Sequence, residues 1–141
     1  MTLHEENIIK GKKHISRLLE PGIIENAIHE GVHIEDSDIL EIKHHNLSLT
    51  KGKRYTVLVS SGYLSSISKE ARELTASKEF AMNTVAKAII VDTTGHQLIG
   101  NFYLNVNKPH IKTRLFTNRE KALNWLREIL NTENILKNEW N

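Results

Sequence analysis

Residues 94–130, TGHQLIGNFYLNVNKPHIKTRLFTNREKALNWLREIL, decide the fold because they hold two helix-start signals with a short strand between them. Thr94 and Gln97 fit a capping box, in which each side chain binds a free backbone N–H at the start of a helix. Gly100 would let this helix approach a sheet closely. The helix carries one apolar stripe, made by Leu98, Ile99, Phe102, Tyr103 and Val106.

The remainder of this stretch predicts a strand and a last helix. Pro109 disfavours helical backbone at Lys108, so the first helix should end just before that residue. Residues 114–116 form a short strand, and Thr117 with Glu120 repeats the capping-box pattern at the start of the last helix. The buried face of that helix is expected to contain Ala122, Leu123, Leu126, Ile129 and Leu130.

The composition of the chain indicates a single globular domain of 141 residues. Its formal net charge of +2 is far from the strongly basic balance of nucleic-acid-binding domains. The sequence has no cysteine, which excludes disulfide bonds and thiol catalysis. Its N-terminus lacks the apolar core of a signal peptide, and no apolar run approaches the ~20 residues that cross a membrane. We therefore expect a soluble, cytoplasmic protein that neither binds nucleic acid nor spans a membrane.

The first half of the chain predicts a β-hairpin followed by a helix. Residues 13–29 form two strands, because Pro21 and Gly22 give a turn signal in their middle. Asp36 or Ser37 can cap the helix that comes next. The inward face of this helix is expected to contain Ile39, Leu40, Ile42 and Leu47.

After this helix, strands and helices alternate along the chain. Residues 55–59 and 88–91 are nearly continuous apolar runs, as expected for strands that are covered on both faces. Ser68 begins a helical segment between them, whose inward residues should be Ala71, Leu74, Phe80, Ala81 and Val85. The alternation implies parallel crossovers and therefore a layered α/β fold.

Five segments of the chain resemble a group of uncharacterised small bacterial proteins of the STAS, or SpoIIAA-like, fold. These segments are Glu20–Ile24, Ile67–Arg72, Ile99–Leu104, Asn107–Pro109 and Arg114–Thr117. The resemblance implies an N-terminal β-hairpin joined to a mixed sheet with about four helices. With it, we divide the chain into a flexible N-terminal arm (residues 1–12), one domain (13–130) and a polar C-terminal tail (131–141).

STAS antagonists carry an Asp-Ser-Ser-Gly pattern before a helix, and a partner kinase phosphorylates a serine in it. At the matching place this chain reads Ser68-Lys69-Glu70-Ala71, so the phosphorylated position would fall on Lys69. The aspartate that usually ends the preceding strand is replaced by Ser60. Ser68 could carry a phosphate, since a helix start tolerates negative charge. We favour the simpler interpretation that Ser68 is a helix N-cap.

Residues 29–33, His-Glu-Gly-Val-His, match the H-E-x-x-H pattern of zinc peptidases. In those enzymes a helix places both histidines on one face, and the glutamate activates a bound water. Gly31 would interrupt such a helix, and the resemblance makes this region a strand followed by its turn. We interpret the match as coincidental and predict no metal site and no cofactor.

Polar residues near the ends of the predicted elements are the candidate ligand- or partner-binding residues. They are Ser68, Arg72, Asn101, Lys108 and Arg114. All but Ser68 could converge at one edge of the sheet and hold an anion or the carboxylate of a partner. The alternative, which we favour, is that Asn101 and Arg114 bind backbone groups at the ends of elements.

Two functions agree with these patterns. The first is a non-enzymatic STAS-like regulatory or protein-interaction module, which binds a protein partner or forms a homodimer and is switched by phosphorylation or a small ligand. The lack of an evident catalytic set and the resemblance both favour it. The alternative is a small-molecule-binding carrier or a hydrolytic enzyme with a pocket between the sheet and the helices.

Overall fold

The computed structural model describes residues 7–141 of the chain. In this range the strands, in chain order, are β1 (Ile8–Lys10), β2 (His14–Glu20), β3 (Ile23–Ile28), β4 (His33–Ile34), β5 (Tyr55–Ser61), β6 (Ser66–Ile67), β7 (Thr84–Ile90) and β8 (Lys112–Phe116). The helices are α1 (Asp36–Thr50), α2 (Lys69–Ala76), α3 (Thr94–Phe102), α4 (Arg119–Thr132) and α5 (Ile135–Glu139). A π-helical turn, Tyr103–Asn107, continues α3.

Six of the strands form one mixed sheet in the order β1-β2-β3-β5-β7-β8. The pairs β1–β2 and β2–β3 are antiparallel, and β3, β5, β7 and β8 run parallel to one another. Strands β4 and β6 form a separate parallel pair. This topology confirms the predicted layered α/β fold, in which an N-terminal hairpin joins a mixed sheet.

The two faces of the sheet are covered by different helices. Side chains along a strand point alternately to opposite faces, so the neighbours Ile23 and Ile24 belong to different cores. Ile23 packs in the cluster that contains Leu126 of α4. Ile24 packs with Val57 and with Leu49 of α1. Helix α4 therefore covers the first face of the sheet, whereas α1 covers part of the second face.

Helix α4 buries the face that its sequence predicts. Each of the five apolar residues expected inward is at most 9% exposed, namely Ala122, Leu123, Leu126, Ile129 and Leu130. They pack against Ile23 and Leu58 of the sheet. The helical spacing of apolar residues was therefore sufficient to place this element.

The N-caps of α3 and α4 lie one residue away from the predicted ones. Thr93, and not Thr94, accepts the capping hydrogen bond of α3 at 3.1 Å. Asn118, and not Thr117, accepts that of α4 at 3.0 Å. Both errors have one cause, because each site offers two adjacent side chains that can cap a helix.

Helix α1 is rotated relative to the expected orientation. Its buried residues include Ile39, Ile42, Lys43 and Asn46, which recur at helical spacing. Leu40 was predicted to point inward but is 58% exposed, because it lies on the opposite side of this stripe. The buried stripe thus includes three polar residues that the apolar pattern alone did not select, namely Lys43, Asn46 and Thr50.

Helix α2 is shorter than the predicted helical segment. It begins after its N-cap Ser68, as expected, and ends at Ala76. Val85 was predicted to point inward from this helix but lies in β7, which begins at Thr84. A β-branched residue such as valine suits a strand better than a helix.

Helix α3 contacts the sheet through Gly100 and leaves much of its apolar stripe exposed. A Cβ at Gly100 would lie 3.0 Å from Leu115 Cδ1, which confirms the close approach expected of this glycine. Of the predicted stripe, only Tyr103 is buried. The other members are 43–66% exposed, namely Leu98, Ile99, Phe102 and Val106.

The two ends of the chain contribute to the fold as far as the structure describes them. Residues 1–6 of the predicted arm lie outside the described range, and β1 lies in the rest of it. The predicted tail contains α5, and after it Trp140 Nε1 donates to Arg54 O at 2.8 Å. No helix in residues 7–141 is long and apolar enough to cross a membrane.

Candidate functional site

A cavity of about 580 Å³ lies between the sheet and the helices α1, α2 and α3. The sheet forms its floor through residues of β3, β5 and β7, and the helices and the loop after β5 form its walls. Most of its lining is aliphatic or aromatic. Representative apolar lining residues are Ile28, Ile42, Val57, Val59, Phe80 and Ile89.

Lys43 brings a positive charge to this apolar cavity. It lies on the buried stripe of α1 and is 9% exposed. Its Nζ donates to Met82 O at 2.6 Å and to Thr84 Oγ1 at 2.9 Å. Burial, and secondarily the charge of Lys87, lower the pKa of Lys43 from its ordinary value to about 8. The cavity therefore disfavours the charged form of this amine.

Lys87 brings a second positive charge from the floor of the cavity. It lies in β7 and is 7% exposed, and its Nζ donates to Tyr103 Oη at 3.3 Å. The Nζ atoms of Lys43 and Lys87 lie 5.1 and 5.9 Å from the centroid of the Phe80 ring. Among the described residues, no Asp or Glu side chain lines the cavity.

Arg72 adds a third cationic side chain, on the α2 wall. Its Nη1 donates to Ile67 O at 3.0 Å, and its guanidinium carbon lies 5.2 Å from the centroid of the Phe102 ring. Its Nε is buried and has no hydrogen-bond partner within residues 7–141. Such an unpaired buried donor is available to a ligand.

A serine and a histidine also meet at the cavity wall. Ser65 Oγ and His96 Nε2 are 3.4 Å apart, and Asp92 Oδ1 lies 3.7 Å from His96 Nδ1. The second distance exceeds the range of a hydrogen bond, and the Asp92 side chain is 61% exposed. Ser65, His96 and Asp92 therefore follow one another in space as the serine, histidine and carboxylate of hydrolytic triads do. They lack the hydrogen bond between the carboxylate and the histidine that fixes the histidine ring.

The cavity opens to solvent between α3 and the loop after β5. Three of its apolar lining residues are themselves strongly exposed, namely Tyr63 at 64%, Leu64 at 71% and Ile99 at 44%. Ile99 belongs to the exposed stripe of α3. A ligand that enters here would cross an apolar rim before it reaches Lys43 and Lys87, which lie further inside the cavity.

The predicted binding residues are spread over several elements. Ser68 caps α2, with its Oγ accepting from Ala71 N at 3.1 Å, and Arg72 follows one turn later. Asn101 is exposed on α3, beside the Phe102 ring that Arg72 contacts. Of these, only Arg72 lines the cavity.

Lys108 and Arg114 lie apart from this group. Lys108 is exposed and has a left-handed backbone with φ of 51° after the π-helical turn. Arg114 is exposed on the edge strand β8, with its guanidinium carbon 5.1 Å from the centroid of the Phe116 ring. In residues 7–141, no hydrogen bond or ion pair joins any two of Arg72, Asn101, Lys108 and Arg114.

The H-E-x-x-H match does not form the helix that this motif requires. His29 follows β3, Gly31 has a positive φ of 71° in a turn, and His33 begins β4. His33 Nδ1 lies 2.7 Å from Ser66 Oγ. The two histidines are therefore not presented from one helix face, in agreement with the prediction that this region is a strand and its turn.

The predicted site residues did not include the two buried lysines, although the sequence around each lysine indicates burial. Lys43 follows Ile39 by four residues, which places it on the same face of α1. Lys87 interrupts an apolar run between Ala86 and Ala88. A charged residue inside a buried helical or strand pattern is rare without a role, since isolated burial of a charge is unfavourable.

Comparison with known proteins places the chain in a family without assigning a reaction. The profile of a family described as "Domain of unknown function (DUF7793)" matches residues 18–130. No curated protein matches the chain. One similar solved structure is that of an uncharacterized protein from the DUF3478 family with a SpoIIAA-like fold, from Shewanella loihica PV-4. It is 12% identical, with 84% of this chain and 90% of that chain covered and a TM-score of 0.48.

Proposed function

This chain belongs to the DUF7793 family, and we propose that it is a non-enzymatic binding protein for an amphipathic small-molecule anion. The ligand has an aliphatic or aromatic body and one carboxylate or similar anionic head. The observation that carries this proposal is the pair of buried lysines, Lys43 and Lys87, in an apolar cavity that no described carboxylate lines.

The size and lining of the cavity support the apolar body of the ligand. Small-molecule pockets typically enclose about 300–1,000 Å³ and have mostly apolar walls with a few polar groups. The cavity of about 580 Å³ falls within this range. Its apolar rim, with Tyr63 and Leu64, would shield the same ligand body where it reaches solvent.

The charge of the cavity supports the anionic head. Burying an ammonium group without a counter-ion is unfavourable, and two neighbouring ammonium groups repel each other. The lowered pKa of Lys43 reflects both effects. A carboxylate between Lys43 and Lys87 would remove both penalties, and the unpaired Nε of Arg72 could bind it on its way inward.

Binding is favoured over hydrolysis by the geometry around His96. A serine nucleophile needs a base that is itself held by a hydrogen bond. The 3.7 Å separation between His96 Nδ1 and the exposed Asp92 carboxylate leaves the ring without that support. We therefore assign Ser65 and His96 to the cavity wall.

Isothermal titration with decanoate, decanol and decyltrimethylammonium tests the proposal. The three probes share an apolar chain and differ in head-group charge, so decanoate should bind most tightly and the cation should not bind. Lys43→Met and Lys87→Met should each weaken decanoate binding about 10–100-fold, because a hydrogen bond to a charged group contributes roughly 1.5–3 kcal/mol. The exposed Lys69, varied to Met, is the matched control and should leave binding unchanged.

Equal binding of the three probes, or no loss in the two lysine variants, would overturn the anion-binding proposal. Release of nitrophenol from a nitrophenyl decanoate ester by the parent and not by Ser65→Ala would move the protein to the hydrolytic class. Both measurements use the whole chain.

A protein-interaction module is the second candidate, and the exposed stripe of α3 is the observation that favours it. Exposed contiguous apolar surface is typical of interaction sites, and Leu98 and Phe102 are 66% and 43% exposed. A homodimer joined through this stripe is the form of such a module that sedimentation detects. Self-association that Leu98→Asp abolishes would support the homodimer, whereas a monomer at all concentrations would remove it.

A further inference from the structure

A group of metal-ligand side chains lies where α1 crosses β2, separate from the cavity. His14 on β2 is 1% exposed, and Glu41 and His45 lie on α1. One ligand atom from each residue can be chosen so that all three lie within 4.8 Å of one another. None of the three residues lines the cavity.

The rings of His14 and His45 already face each other. His14 Nε2 lies 3.1 Å from His45 Nδ1, and the rings are stacked with centroids 5.1 Å apart. His45 Nε2 lies 3.9 Å from Glu41 Oε1. These two distances involve different nitrogens of the His45 ring, and a single ion would bind only one of them. With one ligand atom taken from each side chain, all three atoms lie within 4.8 Å of one another.

The fold holds these side chains together from two elements. Glu41 and His45 are four residues apart on α1, a spacing that places both on one face of a helix. His14 lies on the inward side of β2. The backbone turns back at Gly11, close to this histidine. A Cβ at Gly11 would lie 2.3 Å from His14 Cε1 and 2.9 Å from Glu41 Oε1. The backbone thus covers the cluster so closely that only glycine fits there.

Although the sequence alone predicted no metal site, we propose that His14, Glu41 and His45 bind one divalent transition-metal ion, for which Zn²⁺ is the best chemical match. Two histidines and one carboxylate are a recurrent zinc ligand set that leaves a further coordination position open. Ligand atoms on one tetrahedral Zn²⁺ lie roughly 3.3 Å apart, given bonds of ~2.0–2.2 Å. The 3.1 Å distance between His14 Nε2 and His45 Nδ1 is near this value. One ligand atom of each of the three side chains lies within 4.8 Å of the other two, so an ion would draw the side chains closer together.

The ligand types and the position of the cluster determine which ions it binds and how ion binding affects the stability of the fold. Ca²⁺ and Mg²⁺ prefer sites made of oxygen ligands, so two imidazoles select against them. The Glu41 side chain is 41% exposed, so an ion can reach the cluster from solvent on the Glu41 side. The ion would join α1 to the N-terminal hairpin, and it would stabilise the folded chain by binding it in preference to the unfolded one.

Titration of the untagged, chelator-treated full chain with Zn²⁺ tests this site, with melting temperature as a second readout. The parent should bind one Zn²⁺, and its melting temperature should rise by about 5–15 °C at a hundredfold excess over Kd. His45→Ala and Glu41→Gln should weaken Zn²⁺ binding at least tenfold. His44→Ala removes the exposed neighbouring histidine on α1 and should bind Zn²⁺ like the parent.

Glu41→Gln keeps the size of the side chain and is partly exposed, so it separates lost binding from lost folding. Zn²⁺ binding that is absent in the parent, or equal in the parent and in the His45 and Glu41 variants, would overturn the metal site. Decanoate affinity should be the same with and without Zn²⁺, so the outcome is independent of the proposed function of the cavity.

Discussion

At the scale of single residues, Glu25 and the two lysines of the cavity carry buried charges in opposite surroundings. Glu25 is 4% exposed and accepts two hydrogen bonds from Arg119, at 2.7 and 2.9 Å, and one from Ser60. Burial would raise the pKa of Glu25, but these partners lower it below its usual value. Lys43 and Lys87 have no such carboxylate within residues 7–141, which is why they indicate a ligand.

Ser68 should behave as a helix cap and not as a switch. Ser68→Ala should lower the free energy of unfolding by about 1 kcal/mol, because Ala71 N loses its capping partner. Ser68→Asp should be nearly neutral, since aspartate also caps and suits the positive end of a helix. Urea unfolding of the three proteins measures both effects.

Sedimentation and partner capture with the same variants separate the cap from a phosphorylation switch. For a cap, Ser68→Asp should self-associate and retain any partner as the parent does. A partner that the parent retains and Ser68→Asp releases, at unchanged stability, would contradict this interpretation and favour a phosphorylation-controlled module.

At the scale of elements, apolar spacing predicted the buried face of helix α4 in full and those of helices α1 and α3 only in part. α4 packs on the sheet along one apolar stripe, so pattern and burial coincide. In α1 the buried stripe includes Lys43, and in α3 the helix meets the sheet at Gly100. Apolar spacing cannot predict these two cases. In α1 the buried stripe faces the cavity and includes a charged residue, and in α3 the contact depends on a glycine, which has no side chain.

The orientation of α4 predicts a sharp contrast between two of its residues. Leu126 is fully buried in the core, so Leu126→Ala should lower the free energy of unfolding by about 2–5 kcal/mol through lost burial and a new cavity. Lys121 is exposed on the same helix, and Lys121→Ala should change stability by less than roughly 0.5 kcal/mol. Equal losses in denaturant unfolding would show that a different face of α4 is buried.

At the scale of the whole molecule, the sheet has one closed and one open side. The core beneath α4 is continuous, from Ile23 to Leu130, whereas the side beneath α1, α2 and α3 encloses the cavity. The α/β class and the hairpin were predictable because they depend on local periodicity and turns. The sites were not, because each joins residues distant in the chain, such as Lys43 with Lys87 and His14 with His45.

The pH dependence of decanoate binding tests whether the buried lysines hold an anion. The free protein loses the charge of Lys43 as pH rises through about 8, while a bound carboxylate would keep that amine protonated. Decanoate itself stays ionised throughout this range, since carboxyl groups titrate near pH 4.

We expect the decanoate affinity of the parent to fall between pH 7 and pH 9.5, by up to about tenfold per pH unit above the Lys43 pKa. The affinity of Lys43→Met should be lower at pH 7 and should change less over the same interval. Isothermal titration of both proteins at the two pH values measures this. A decanoate affinity that is constant with pH in the parent, or that falls equally in Lys43→Met, would contradict the assignment of Lys43 to the anionic head of a ligand.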